Sequence, residues 1–324
     1  MYYINAINVK YNYLYERPAR ETRMKLVIAG ASGFIGSMLV QRLRQRGNEL
    51  LLLSRKPKAA AAAPNTKWIA WEPGESGSWE ESIDGADGIV NLAGEGIAEK
   101  RWTERQKEMI LSSRIDSTRA LVHAIAKAKS KPKFLINASA VGYYGPRGDE
   151  TVTEESVPGK DYLARVCVAW EEEARKAAHH DVRVALMRTG IVLAKGKGAL
   201  AKMVTPFKFF VGGPLGSGKQ WMPWIHIEDE VGLMLFLMEN TNAHGSFNAT
   251  APNPVTMEEF SNALGKVLNR PSWASVPASA LTLLLGEMAD MILAGQKALP
   301  KAAEKLGYNF KHPTIKDALE SLGL

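Results

Sequence analysis

The sequence predicts an α/β fold: an open parallel sheet, doubly wound by helices on both faces, with a smaller mixed region after it. Three observations carry that expectation. Short apolar runs alternate with stretches of helical periodicity, as they do in buried parallel strands joined by crossover helices. A glycine-rich turn separates the first run from the first helical stretch. After about residue 195 the alternation stops and a Gly/Pro-rich segment begins.

In chain order, KLVIA at 25–29 is a continuous apolar run bounded by glycine, which suits a strand covered on both faces. FIGSMLVQRLRQRGNE follows, with Ile35, Met38, Leu39 and Leu43 at helical spacing and a stop at Gly47. LLLLS at 50–54, GIVNLAG at 88–94, KFLINAS at 133–139 and RVALMRTGIVL at 183–193 predict further strands. Residues 24–195 therefore read as a Rossmann-type dinucleotide-binding domain to which later segments return, and 196–324 as a smaller substrate region. Residues 1–23 differ in composition and read as a disordered extension, with Met24 opening the fold. KAAAAAPN at 58–65 reads as a low-complexity loop or short helix.

Composition excludes several classes. Of 324 residues, 46% are hydrophobic and 23% charged, which argues against disorder and fibrous structure. The net charge of +7 is dispersed among acids without a dense basic run, so it points away from nucleic acid and suits a phosphate-bearing cofactor or substrate. Cys167 is the only cysteine, which excludes a disulfide framework and fits a reducing, cytoplasmic setting. LTLLLGEMADMILAG is the richest apolar stretch, but Glu287 and Asp290 interrupt it, so it predicts an amphipathic core helix and no membrane partner. The histidines show no ligand spacing with carboxylates, so no metal is expected. A monomer or homodimer acting on a small molecule is the expected form.

GASGFIG at 30–36 carries the first chemistry, and it contributes Gly30, Ser32, Gly33, Phe34, Ile35 and Gly36 to the expected cofactor site. Gly30 permits the tight turn, Gly33 lets the backbone approach a pyrophosphate, and Gly36 allows close packing of the helix whose N-terminal amides face the phosphates. The second strand ends in Ser54, Arg55 and Lys56, where an acid would otherwise hold the adenosine ribose. A guanidinium there pairs with a 2′-phosphate, so Arg55, helped by Lys56 or Lys58, favours NADP(H) over NAD(H). Leu92, Ala93 and Gly94, then Glu95 and Gly96, follow the fourth strand and border the cofactor. GGPLGSGKQ has phosphate-loop spacing, but Gln220 replaces the hydroxyl residue and WMPWI follows where a helix should begin, so it reads as an exposed turn.

GASGFIG, DGADGIVNLAGEG, NASAVGYYG and WIHIEDEV, in that order, resemble the short-chain dehydrogenase/reductase superfamily, nearest its extended epimerase/dehydratase proteins. RWTERQKEMILSSRIDSTR, SAVGYYGPRGDETVTEES, RTGIVLAKGKGAL and the tail from VPASALTLLL are similar to an atypical epimerase-family group with its own small C-terminal domain. The resemblance runs from about Met24 to Leu324 and implies hydride chemistry by a Ser/Thr, a Tyr, a Lys and a supporting Asn. Here Ala140 takes the serine position with Ser139 just before it, and Arg114 replaces the asparagine. The Tyr and Lys positions fall on Tyr162 and Val166, or on Leu163 and Cys167, depending on the register. The resemblance leaves Ser139, Tyr143 and Arg114 as catalytic candidates, Tyr144 as an alternative phenol, and Arg188 with Thr189 at the nicotinamide half. His226 reads as structural.

Overall fold

The computed structural model describes residues 23–57 and 64–324. The expectations for residues 1–22 and for Lys58 to Ala63 lie outside them. The strands in chain order are β1 (Lys25–Ala29), β2 (Glu49–Ser54), β3 (Thr66–Ala70), β4 (Gly88–Asn91), β5 (Phe134–Ala140), β6 (Thr151–Val152), β7 (Arg183–Thr189), β8 (Ile191–Leu193), β9 (Trp221–Met222), β10 (Trp224–His226), β11 (Gly245–Ala249), β12 (Val255–Thr256) and β13 (Lys297–Ala298). The helices are α1 (Phe34–Gln45), α2 (Glu104–Lys127), α3 (Tyr162–Arg175), α4 (Gly198–Lys208), α5 (Ile227–Glu239), α6 (Met257–Leu268), α7 (Ala278–Leu285), α8 (Asp290–Leu293), α9 (Lys301–Lys305) and α10 (Ile315–Ser321).

A seven-stranded sheet runs in the order β11-β7-β5-β4-β1-β2-β3. Its neighbours all pair in parallel. Leu26 to Ala29 and Leu50 to Leu53 are buried on both sides, which explains why these strands read as unbroken apolar runs. Leu39 and Leu43 of α1 and Leu233 and Leu237 of α5 cover one face. Leu121 and Ile125 of α2 and Ala174 of α3 cover the other. The strand order reverses between β1 and β4, so the connections leaving these strands diverge to opposite faces and open a crevice at their carboxyl ends.

Side-chain caps place the helix starts. Thr103 accepts from the Gln106 amide at α2, Asp161 from the Ala164 amide at α3, and Thr256 forms a reciprocal capping box with Glu259 at α6. A third core, with Phe207 of α4, Trp224 of β10, Phe260 of α6 and Leu319 of α10, supports the region after residue 195. That region also returns β11 to the main sheet and α5 to its face.

Four segments depart from expectation. TKWIA and GSFNA form the edge strands β3 and β11, although neither is a strong apolar run. Parallel pairing on a finished neighbour decides these strands, not propensity. RVALMRTGIVL divides at Gly190 into β7 and β8, because β8 leaves the main sheet to pair with β10. LTLLLGEMADMILAG is not one core helix: α7 ends at Gly286, whose φ is +63°, and Leu283 and Leu284 are exposed. GGPLGSGKQ does form a turn, passing into β9 with no helix after it.

Candidate functional site

The glycine loop sits at the carboxyl end of β1, against β4. Gly30 has φ +79°, and a Cβ there would lie 2.5 Å from the carbonyl carbon and oxygen of Leu92. A Cβ on Gly36 would lie 2.2 Å from the Gly30 carbonyl oxygen, so this glycine seats the helix on the loop itself and not on a strand. The Gly33 amide closes the turn on the Gly30 carbonyl at 3.0 Å, and α1 starts directly after it without an acid in its first turn. Backbone amides with no competing carboxylate form an anion cradle of the shape a pyrophosphate needs. Ser32, Phe34 and Ile35 lie on that loop and first turn; Leu92 and Ala93 face it from the end of β4, and Gly94 follows them against Arg114.

Beyond β2, Ser54 is half-buried and accepts from the Lys56 amide at 3.2 Å, while Arg55 and Lys56 are exposed. No acid stands between Ser54 and Pro57, so the end of β2 presents cations to whatever lies along the crevice.

Arg114, on α2, reaches the end of β4. Its Nη1 donates to the carbonyls of Glu95 (3.0 Å) and Ile110 (2.9 Å), and its guanidinium lies 5.1 Å from the centre of the Trp170 ring. A Cβ on Gly94 would touch this guanidinium at 3.2 Å. Burial lowers the Arg114 pKa from its ordinary value, yet the side chain brings a fixed cation to the wall where the crevice ends. Glu95, held by Lys100 at 3.5 Å, is the nearest acid placed by the same loop.

Behind the end of β5 lies a buried ionic network that sequence reasoning did not find. Arg188 on β7 donates from Nε and Nη2 to the two carboxylate oxygens of Glu171 on α3, at 2.8 and 2.9 Å. Its Nη1 donates to the Tyr144 hydroxyl (3.0 Å) and the Glu154 carbonyl (3.2 Å). Burial, the largest single influence, lowers the Arg188 pKa, but the hydrogen bonds and charges of Glu171 and Tyr144 together outweigh it and raise it. Arg188, expected at the nicotinamide half, thus spends its side chain inside the protein. Ser139 is 4% exposed and donates to Glu171 at 2.8 Å, so this catalytic candidate is also committed to the network. Tyr144 donates to Asn248 of β11 at 2.6 Å, and burial pushes its phenol up to about 12. Tyr143 is different. It is half-buried, and its ring lies over the Arg188 guanidinium at 3.4 Å.

Of the residues in the two registers open for the Tyr and Lys positions, Leu163 and Cys167 pack against Gly142, just after β5. A Cβ on Gly142 would meet Leu163 at 3.3 Å and the Cys167 sulfur at 3.9 Å. Burial pushes the Cys167 thiol up to about 12, so it is a neutral packing group. Tyr162 lies to one side and donates to the Lys107 carbonyl at 2.6 Å.

Folding also assembles a group that spacing did not reveal, since His226, Glu228 and His312 bring potential ligand atoms within 4.8 Å of one another. His226 caps α5, with its Nδ1 accepting from the Glu228 amide at 3.1 Å. Its Nε2 stands 3.3 Å from Ser321 Oγ, which itself donates to the Ala318 carbonyl. Nε2 therefore carries the proton and neither ring nitrogen has a lone pair for a cation. The group is a latch joining α5 to the C-terminal tail. Burial, then the His312 charge, lowers the His226 pKa from 6.5 to about 4, so the unfolded chain binds the extra proton between these values. Stability is expected to be full above about pH 6.5 and to fall by about 2 kcal/mol on reaching about pH 5. Urea unfolding of His226→Asn, which keeps a capping oxygen, should lack that slope.

One further carboxylate is unusual. Glu230 on α5 is fully buried; Thr189 at the end of β7 donates to one of its oxygens at 2.9 Å, and the other has no partner among the described residues. Burial pushes its pKa up to about 8.

A family model described as "NAD dependent epimerase/dehydratase family" matches residues 26–249, and one described as "Domain of unknown function (DUF1731)" matches residues 276–322. A relative in Arabidopsis thaliana, "Epimerase family protein SDR39U1 homolog, chloroplastic", is 45% identical over 306 residues, covering 94% of this chain and 88% of that protein. The epimerase family protein YfhF of Bacillus subtilis is 39% identical over 300 residues, covering 92% and 98%. The crystal structure of the human epimerase family protein SDR39U1 with NADPH superposes with a TM-score of 0.82 at 33% identity, covering 93% of this chain and 99% of that one. A nucleoside-diphosphate sugar epimerase from Corynebacterium glutamicum gives 0.76 at 33% identity, covering 94% of this chain and 59% of that one. Glycine cradle, switch-point crevice and full-length likeness agree: the chain belongs to the NAD dependent epimerase/dehydratase family.

Proposed function

We propose that this protein binds NADP(H) in the crevice between β1 and β4 and acts as an oxidoreductase or epimerase on a small polar substrate, which a nucleotide-sugar would satisfy. The observation that carries the cofactor reading is the loop in which added Cβ atoms at Gly30 and Gly36 would strike backbone at 2.5 and 2.2 Å, leaving the amides at the start of α1 as the lining. Arg55 and Lys56 beyond β2 support the 2′-phosphate form, and the NADPH held by the human relative agrees with it. A bound nicotinamide supplies hydride transfer. Tyr143 then offers the phenol for proton exchange, and Arg114 offers a fixed positive charge for an oxyanion or carboxylate of the substrate.

The absence of a Tyr and Lys pair in either register, Tyr162 with Val166 or Leu163 with Cys167, supports a second reading, a non-catalytic NADP(H)-binding regulator or scaffold. Turnover decides between the two. Steady NADPH oxidation across a carbonyl panel, lost in Tyr143→Phe or Arg114→Ala, supports the enzyme; tight binding without turnover supports the regulator.

The cofactor itself is tested by calorimetric titration with NADPH and NADH. The wild type is expected to prefer NADPH, and Arg55→Ala to lose roughly tenfold to a hundredfold in NADPH affinity with little change for NADH, the scale of one charged hydrogen-bonded pair. Equal losses for both dinucleotides would overturn the role given to Arg55.

A further inference from the structure

Helix α4 ends in a six-residue closure that breaks a local rule. The Phe210 amide donates to the Phe207 carbonyl at 2.9 Å and the Val211 amide to the Pro206 carbonyl at 3.1 Å. This paired pattern is the Schellman motif, whose left-handed position is a glycine position. Here that position is Phe210, with φ +63°. A bulky aromatic in this conformation is strained, and burial does not compensate, because Phe210 is 54% exposed. Its neighbours are no better covered: Phe209 is 73% exposed, Val211 51%, and Trp273 69%.

These side chains form one patch on a firm base. Trp273 donates from its indole to the Phe210 carbonyl at 2.9 Å, and the amides of Trp273 and Ala274 both donate to Gly212. A Cβ on Gly213 would lie 2.5 Å from the Ala274 carbonyl oxygen, so the two segments touch backbone to backbone. Cations surround the aromatics. Lys208 precedes them and is exposed, and the Arg270 guanidinium lies 4.5 Å from the Phe210 ring centre. Beside the patch runs a groove lined by Lys266, Arg270 and Ser272 among other residues, none of them acidic.

We propose that this tip is a peripheral docking site for an anionic lipid surface. Phe209, Phe210, Val211 and Trp273 enter the headgroup boundary, while Lys208, Lys266 and Arg270 meet anionic headgroups. An apolar tip and a basic rim supply the two attractions that reversible membrane attachment requires. Charge complementarity selects this occupant over a second copy of the chain, whose patch would bring the same cations face to face. No helix among the described residues is long and apolar enough to cross a membrane, so the docking is to a surface. It departs from the sequence expectation of no membrane partner because the sequence does not show that four large apolar residues remain uncovered.

The test is sedimentation of the full-length protein with vesicles of phosphatidylcholine alone and of phosphatidylcholine mixed with phosphatidylglycerol, with quenching of tryptophan emission by brominated lipid. The protein is expected to bind the mixed vesicles, weakly or not at all the neutral ones, with quenching reduced in Trp273→Phe. Phe210→Gly is the informative variant, since it relieves the strained position. It should unfold at a higher temperature and still lose roughly tenfold in vesicle affinity, the scale of one aromatic removed from an apolar environment. Three outcomes would overturn the proposal: no binding to mixed vesicles, binding unchanged in Phe210→Gly, or a protein dimer that Phe210→Gly dissociates. Binding of inorganic phosphate by the groove without vesicle binding would overturn it too.

Discussion

Replacing Arg188 by methionine is expected to destabilise the protein by about 3–5 kcal/mol, the cost of stranding a buried carboxylate. Arg188 and Glu171 are both 2% exposed as side chains, and the guanidinium supplies two of the hydrogen bonds that hold the carboxylate. Arg175 and Ser139 would remain as partners of Glu171, and Arg175 is half in solvent, so it does not replace the lost pair. The paired substitution Arg188→Met with Glu171→Leu removes both charges and should recover much of the loss, since the desolvation cost goes with them. Chemical denaturation of the two single variants and the double variant measures the coupling. A single-variant cost below about 1 kcal/mol would mean that solvent reaches the pair.

The second large effect is a gain. Glu230 has a pKa of about 8 folded against an ordinary 4.5, so the folded state retains a proton that the unfolded chain releases between these values. Its contribution is therefore neutral below about pH 4.5 and increasingly destabilising as pH rises towards 8, at about 1.4 kcal/mol per pH unit. Glu230→Gln keeps the acceptor for Thr189 and does not titrate. At pH 7 it is expected to be more stable than the wild type by up to about 3 kcal/mol, with the difference vanishing near pH 4.5. Unfolding free energies of both proteins across that range check the sign. Identical profiles would show that Glu230 is charged and solvated when folded.

What the sequence made legible, and what it hid, follows from how local each feature is. Gly30, Gly33 and Gly36 were readable because their work is done within seven consecutive residues. The cationic end of β2 was readable for the same reason, and the central strands announced themselves by being buried on both faces. The end-of-strand place of Arg188 is legible in chain order, but its partners are not, because Glu171 and Tyr144 come from a helix and a turn elsewhere. The choice between Tyr162 and Leu163 turns on the rotation of α3 against Gly142, a packing fact with no trace in composition. His226 and His312 meet only because the C-terminal tail folds back on α5. Phe210 offered no signal at all: the expected C-terminal glycine of α4 arrives two residues late, at Gly212.

The edge strand β11 also sets a clock. Asn248 lies 104 residues beyond Tyr144 in the chain, yet it caps the phenol that sits on Arg188. During synthesis β7 emerges with its outer hydrogen-bonding edge bare, and it stays so until Gly245–Ala249 has left the ribosome. At about 5–20 residues per second the intervening excursion takes about 3–10 s. For that interval the nascent sheet holds a charged pair beneath an unpaired parallel edge, open to any strand that meets it first. A chain stopped between α4 and β11 would remain in this exposed state, so the region after residue 195 is needed to finish the main sheet.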